Sequence, residues 1–167
     1  MVYLELPNEI RAVRPRVAPE VRYNLPISKL RGVPEPARLA LKVQRVTTCE
    51  QLLSAAGGFE GRERLARAAG LDGGFLADLV RRADMARVSG IGVVFCSMLD
   101  DLGVGEVTDL ATCDPVELHE RLRRYNQQHR LARRSPTPDE VEDWVRQAQE
   151  LPKLLTWRSE PAMAVGQ

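Results

Sequence analysis

Three sets of residues in this chain are of types that do chemistry: two histidines, three cysteines, and a glycine pair with an arginine-rich run after it. His119 and His129 stand ten residues apart, a spacing that does not put both on one face of a helix. Cys49, Cys96 and Cys113 show no CxxC spacing, and an odd count does not suit a disulfide framework. Neither set has the spacing of metal ligands. Cys96 falls where a helix should begin, and a helix dipole there lowers a thiol pKa. The expected state is nevertheless a small, buried, inert thiol. Asp84 is expected to tie Arg87 or a backbone amide rather than to react. No paired carboxylates, and no nucleophile with its base, stand out. The expectation is therefore a protein that is not an enzyme, with no catalytic residue, no metal and no cofactor.

The glycine pair carries the sharper signal. Gly90, Ile91 and Gly92 bracket a turn, and Phe95, Met98 and Leu99 follow at the i, i+3, i+4 spacing of a packed helix. Glycine permits the positive φ of a tight turn and leaves the amides uncovered, at a helix N-terminus where an anion is held. Gly90-Ile-Gly lacks the third glycine and the preceding strand of a dinucleotide site. Between residues 119 and 134 lie Arg121, Arg123, Arg124, Arg130, Arg133 and Arg134, opposed in that run by Glu120 alone.

The elements that must position these residues read as helices. Ala, Leu, Arg and Glu are abundant and aromatics make up 5% of the chain, which favours helix over sheet. Starts are marked by Thr47-Thr-Cys-Glu50 as a capping box, and by Asp114-Pro-Val-Glu117 and Thr137-Pro-Asp-Glu140 with proline at the first helical position. Gly70 and Gly103 stand where helices should end. The pattern predicts helices near 35–44, 48–56, 60–69, 74–87, 93–102, 106–112, 115–127 and 138–150. Prolines at 7, 15, 19 and 26 break any helix in residues 1–27, read as an extended N-terminal arm, either a loosely ordered extension or, as the sharper reading, an arm that wraps a neighbour and orders on binding.

A shift of 58 residues lays Gly32-Val33 on Gly90-Ile91, Ala37 on Phe95, Leu41 on Leu99, Val46 on Val104, Cys49 on Val107 and Leu52 on Leu110. Repeated units this short cannot each bury an apolar face, so they should pack as one domain. The domain is expected over 28–151, with repeats near 28–87 and 88–151 and a tail at 152–167. The first copy departs from the second: Pro34 stands for Gly92 and Arg45 for Gly103, so an anion site belongs more naturally to the second.

Together, Gly90-Ile-Gly, Gly103-Val104, Val107-Thr-Asp-Leu-Ala111, the helix from Leu118 to Asn126, Arg133-Arg134-Ser-Pro-Thr137 and Val141-Glu-Asp-Trp-Val145 resemble a bacterial family. It is the domain of unknown function 4332, a tandem helix-hairpin-helix protein. Gly61-Arg62 with Leu65-Ala66, and Ala83-Asp84 with Arg87-Val88, extend the resemblance through the middle. It spans about residues 27–157 and implies an all-α fold, without supplying an activity.

Function is then expected to be binding. One reading is a protein–protein adaptor or assembly subunit, with Val93 and Val94 beside the turn and Leu154, Leu155 and Trp157 in the tail as interface anchors. The alternative is sequence-independent contact with a DNA or RNA phosphate backbone through the second hairpin and the arginine run. Val93, Val94 and Phe95 follow the turn where a phosphate-binding copy would offer Lys or Arg, which tips the balance towards a protein partner. The formal net charge of +1 exerts no overall pull on a polyanion or membrane. No stretch has the length of a signal peptide core or of a membrane span, so a cytoplasmic location is expected. The residues leave the oligomeric state open.

Overall fold

The computed structural model describes residues 25–158, so all but the last three residues of the arm expected over 1–27, and the last residues of the tail, lie outside that range. Every regular element among the described residues is helical. They are α1 (Glu35–Val43), α2 (Cys49–Ala56), α3 (Phe59–Ala69), α4 (Gly73–Met85), α5 (Gly92–Asp101), α6 (Val107–Ala111), α7 (Pro115–His129) and α8 (Pro138–Glu150), with a 3-10 turn at Ile27–Lys29. All eight predicted helices exist, with ends within two residues of expectation.

The local chemistry explains most of these boundaries. Thr137 accepts from the Glu140 amide while the Glu140 side chain accepts from the Thr137 amide, as the capping box requires. Asp114 accepts from the amides of Val116 and Glu117, ahead of Pro115 at the first helical position. At α2 the expected box is one residue out of register. Thr48, not Thr47, is the cap, and its partner is Gln51 rather than Glu50. The cause is tertiary: the Cys49 amide donates to Leu25 O at 2.8 Å and the Ile27 amide to Thr47 O at 2.9 Å. These bonds fix residues 47–49 as an extended step in which Cys49 points fully inward.

The two sets of four helices repeat one backbone plan. Val46 N donates to Leu41 O at 2.9 Å after α1, and Val104 N donates to Leu99 O at 2.8 Å after α5. Each is the 6→1 bond of a Schellman stop, which needs a left-handed residue between. Gly103 provides it at φ 84, and in the first copy Arg45 adopts φ 60 in spite of its Cβ. At α6 the Glu106 amide donates to Asp109 Oδ2 at 3.2 Å, as the Thr48 amide donates to Gln51 Oε1 at α2.

The buried side chains form two clusters. One joins Ile27, Leu41, Val46, Cys49, Leu52, Leu76, Leu79 and Val80, and the other joins Met85, Ile91, Met98, Leu99, Leu110, Leu118, Leu122, Val141 and Trp144. Each fully buried aliphatic side chain contributes about 1.5–3 kcal/mol of transfer free energy. Asp84 sits where the two meet. Its carboxylate pairs with Arg87 at 2.8 Å and accepts from the Val107 amide at 3.0 Å, so it makes both ties expected of it.

The first cluster draws in chain from both ends, beyond the expected limits of 28–151. Ile27 is 1% exposed within it. After α8 the backbone returns as a strap: Thr156 N donates to Gly57 O at 3.0 Å, and Phe59 N donates to Thr156 Oγ1 at 3.0 Å. A Cβ on Gly57 would stand 2.6 Å from Leu53 O and 2.8 Å from Leu154 O, so the strap's approach requires glycine there.

Candidate binding cleft

The 90–92 turn joins α4 to α5 and is built by three devices. Gly90 and Gly92 take φ 88 and 72, which bends the chain sharply. Ile91 between them is buried and anchors the turn in the second cluster. Gln147 on α8 grips the preceding residue from both sides, its Oε1 accepting from Ser89 N at 2.8 Å and its Nε2 donating to Ser89 O at 3.1 Å. Gln147 was not legible as a site residue, because an amide among the charges of α8 has nothing in its spacing to mark it. No side chain caps the start of α5.

Beside this turn opens a cleft of about 570 Å³. Its walls are the 25–31 segment, the end of α4, and the face of α5 that carries Val93, Cys96, Ser97 and Asp100. Leu25, Leu30, Met85, Val88 and Ile91 give it an apolar floor, and Lys29, Arg31 and Arg82 stand at its edge. Arg82 Nη1 donates to Arg31 O at 3.0 Å, and Arg31 in turn donates to Ser97 Oγ, so this edge bridges the two helical sets. Sequence reasoning found the 90–93 side of the cleft and missed the 25–31 wall. The wall lies in a proline-flanked stretch, of which 25–27 read as the end of the arm and 28–31 as the start of the domain.

The remaining expected site residues fall into separate places. Val93 and Val94 are 56% and 45% exposed, and Leu154 is 42% exposed. Leu155 is not a surface anchor but a core residue, 2% exposed in the first cluster. Trp157 is also removed from the free surface. Its ring is packed between the guanidinium carbons of Arg62 and Arg81, each 4.2 Å from the ring centroid. Arg62 is itself buried and donates to the carbonyls of Ala56, Gly57 and Thr156 at 3.1, 3.2 and 2.7 Å. Burial there holds its pKa below the ordinary guanidinium value, with the nearby Arg81 charge acting the same way.

The arginine run does not converge on the turn as one patch. Arg123 and Arg124 both pair with Glu120, at 2.8 and 3.1 Å, and these bonds hold the Glu120 carboxyl below its ordinary pKa. Arg134 pairs with Glu140 at 2.7 Å and lies 5.8 Å over the Phe95 ring. Arg121 donates to Leu102 O at 2.8 Å. Arg130 and Arg133 are exposed on the connection from α7 to α8. α7 also meets the end of α5 through the Tyr125 hydroxyl, which donates to Asp101 Oδ2 at 2.7 Å. Phe95 meanwhile packs on Trp144, with ring centroids 5.5 Å apart.

Cys49 is wholly buried, whereas Cys96, expected to be buried, is half-buried and lines the cleft, and Cys113 is half-buried too. Burial pushes Cys49 up to about 11, and burial with the Asp100 charge does the same for Cys96. Burial also raises Cys113, whose Sγ lies 3.3 Å from Asp109 O. Among the described residues no group of three His, Cys, Asp or Glu side chains is placed to hold a metal ion, and no helix is long and apolar enough to cross a membrane.

With two four-helix sets, a shared turn plan and the Gly90-Ile-Gly turn in place, the chain is matched by a family model over residues 32–151. It belongs to that family, described as a domain of unknown function (DUF4332). No curated protein matches the chain, and no solved structure does.

Proposed function

We propose that this chain is a non-catalytic, cytoplasmic binding module, built from two tandem helix-hairpin-helix units, that acts as a protein–protein adaptor or assembly subunit. The observation that carries the reading is the apolar cleft beside the second hairpin, continued outside by the exposed Val93 and Val94. Apolar surface left open beside a well-made core is what a protein partner covers. The test is recovery of partners by affinity-tagged full-length chain, in wild type and in Val93→Asp with Val94→Asp. Loss of a specific partner in the double variant, with helical circular dichroism unchanged, is expected. A partner retained at full level sinks the reading.

A second reading, contact with a nucleic-acid backbone, draws on the exposed Arg130 and Arg133. The engagement of Arg123, Arg124 and Arg134 with glutamates weighs against it, because each pair offsets charge that a phosphate would otherwise meet. Titration with duplex and single-stranded DNA at several salt concentrations separates the two. Micromolar binding that weakens steeply with salt, and is abolished by Arg123→Glu with Arg124→Glu, would favour nucleic acid.

A further inference from the structure

Taking the protein-binding reading as its basis, we infer that the cleft is a docking groove for a short aliphatic segment bearing carboxylates, supplied by a partner protein. The floor asks for aliphatic side chains: Leu30, Met85, Val88 and Ile91 line it, and Val93 extends it outward. A volume of about 570 Å³ is that of a pocket which engulfs a few side chains. The edge asks for negative charge, because three cations, Lys29, Arg31 and Arg82, line the cleft with one carboxylate, Asp100, while the neighbouring Asp101 is taken up by the Tyr125 hydroxyl. Arg31 and Arg82 make their hydrogen bonds to a hydroxyl and a carbonyl, neutral acceptors, and among the described residues neither guanidinium is in an ion pair. A guanidinium has five N–H donors, so each keeps donors for an incoming carboxylate, which it binds in bidentate fashion. The uncapped start of α5 adds the positive end of a helix dipole at the same edge. A phosphate polymer would satisfy the edge but leave the apolar floor wet. An uncharged apolar segment would satisfy the floor and leave the cations desolvated without a partner.

The experiment is selection from a random-peptide library on the immobilised full-length chain, followed by anisotropy with the winning peptides. Enrichment of aliphatic residues together with Asp or Glu is expected. Affinity should fall about tenfold or more in Val93→Asp and in Lys29→Glu with Arg31→Glu, and the charge-reversed chain should prefer analogues with Lys in place of the acids. All three positions are exposed, so the fold survives the changes, and circular dichroism checks it. No enrichment, winners without carboxylates, or winners indifferent to both variants would overturn the inference. Displacement of the peptides by DNA would do the same. The chain's own first residues, with Glu5 and Glu9 among apolar neighbours, are the competing occupant. Tighter peptide binding by Glu5→Lys with Glu9→Lys would show that the chain fills its own groove and would also overturn it. If carboxylates prove irrelevant while Val93→Asp with Val94→Asp still loses its partner, the adaptor reading stands and this inference alone falls.

Discussion

Cys49 shows what burial does to a single titratable group. Its thiol is wholly enclosed and is pushed up to about 11. The folded chain therefore holds that proton more tightly than the unfolded chain, in which a thiol titrates near its ordinary value. Between those two values the unfolded state carries fewer protons, so stability falls as pH rises. The loss from Cys49 begins near the ordinary thiol pKa, is complete near 11, and amounts to at most roughly 3 kcal/mol. Urea unfolding followed from neutral to strongly alkaline pH checks the direction. Alkylation of Cys96 should likewise stay slow at neutral pH and accelerate towards pH 11. Rapid alkylation of Cys96 at neutral pH would contradict its burial. At this scale the sequence was readable where one residue type has one use. Asp84 did what its neighbours implied, tying both Arg87 and a backbone amide. Arg45 was readable only as a departure from glycine, since nothing in the sequence told whether the left-handed step survived it.

Capping chemistry decides the elements, and α2 shows its limit. Thr47 with Glu50 and Thr48 with Gln51 satisfy the same pattern one residue apart, and local sequence cannot choose between them. The choice is made by the bonds from residues 25–27 and by the need to bury Cys49. Thr48→Ala should cost about 1 kcal/mol of stability, the usual worth of an N-cap, and Thr47→Ala distinctly less. Thermal or urea unfolding of the pair separates them, and equal costs would mean that the cap is shared. Helix existence was legible because periodicity, proline at N1 and glycine stops agree at most boundaries. The cleft was legible on one side only. Its α5 wall carries a turn motif, whereas its 25–31 wall is made by irregular chain whose position is fixed by pairing with residues 47–49.

Across the whole molecule, the strap from residue 152 to 157 reverses an expectation about the surface. Leu154, Leu155 and Trp157 read as a free apolar tail, because the elements they touch lie almost a hundred residues earlier and no local pattern points back to them. Phe59 and Thr156, bonded at 3.0 Å, are 97 residues apart. Trp157 instead stacks against two arginines, and the family model's end at residue 151 falls just before the strap. Gly57→Ala should destabilise the fold by about 2 kcal/mol or more, by pushing the strap off the turn between α2 and α3. Gly58→Ala, where a Cβ meets nothing nearer than 3.9 Å, should cost much less. A quenching experiment on Trp157 fluorescence would report the displaced strap directly. Unaltered quenching in Gly57→Ala would show that the strap is held without that close approach.

The same strap sets an order of events during synthesis. Domains generally begin to fold from the N-terminus as the chain emerges from the ribosome. Here the half made first lacks Leu155, Thr156 and Trp157 until the second set of helices has been made. Arg62, which needs the Thr156 carbonyl, waits with it. The earlier-made of the two cores thus stays unfinished until all eight helices have been synthesised.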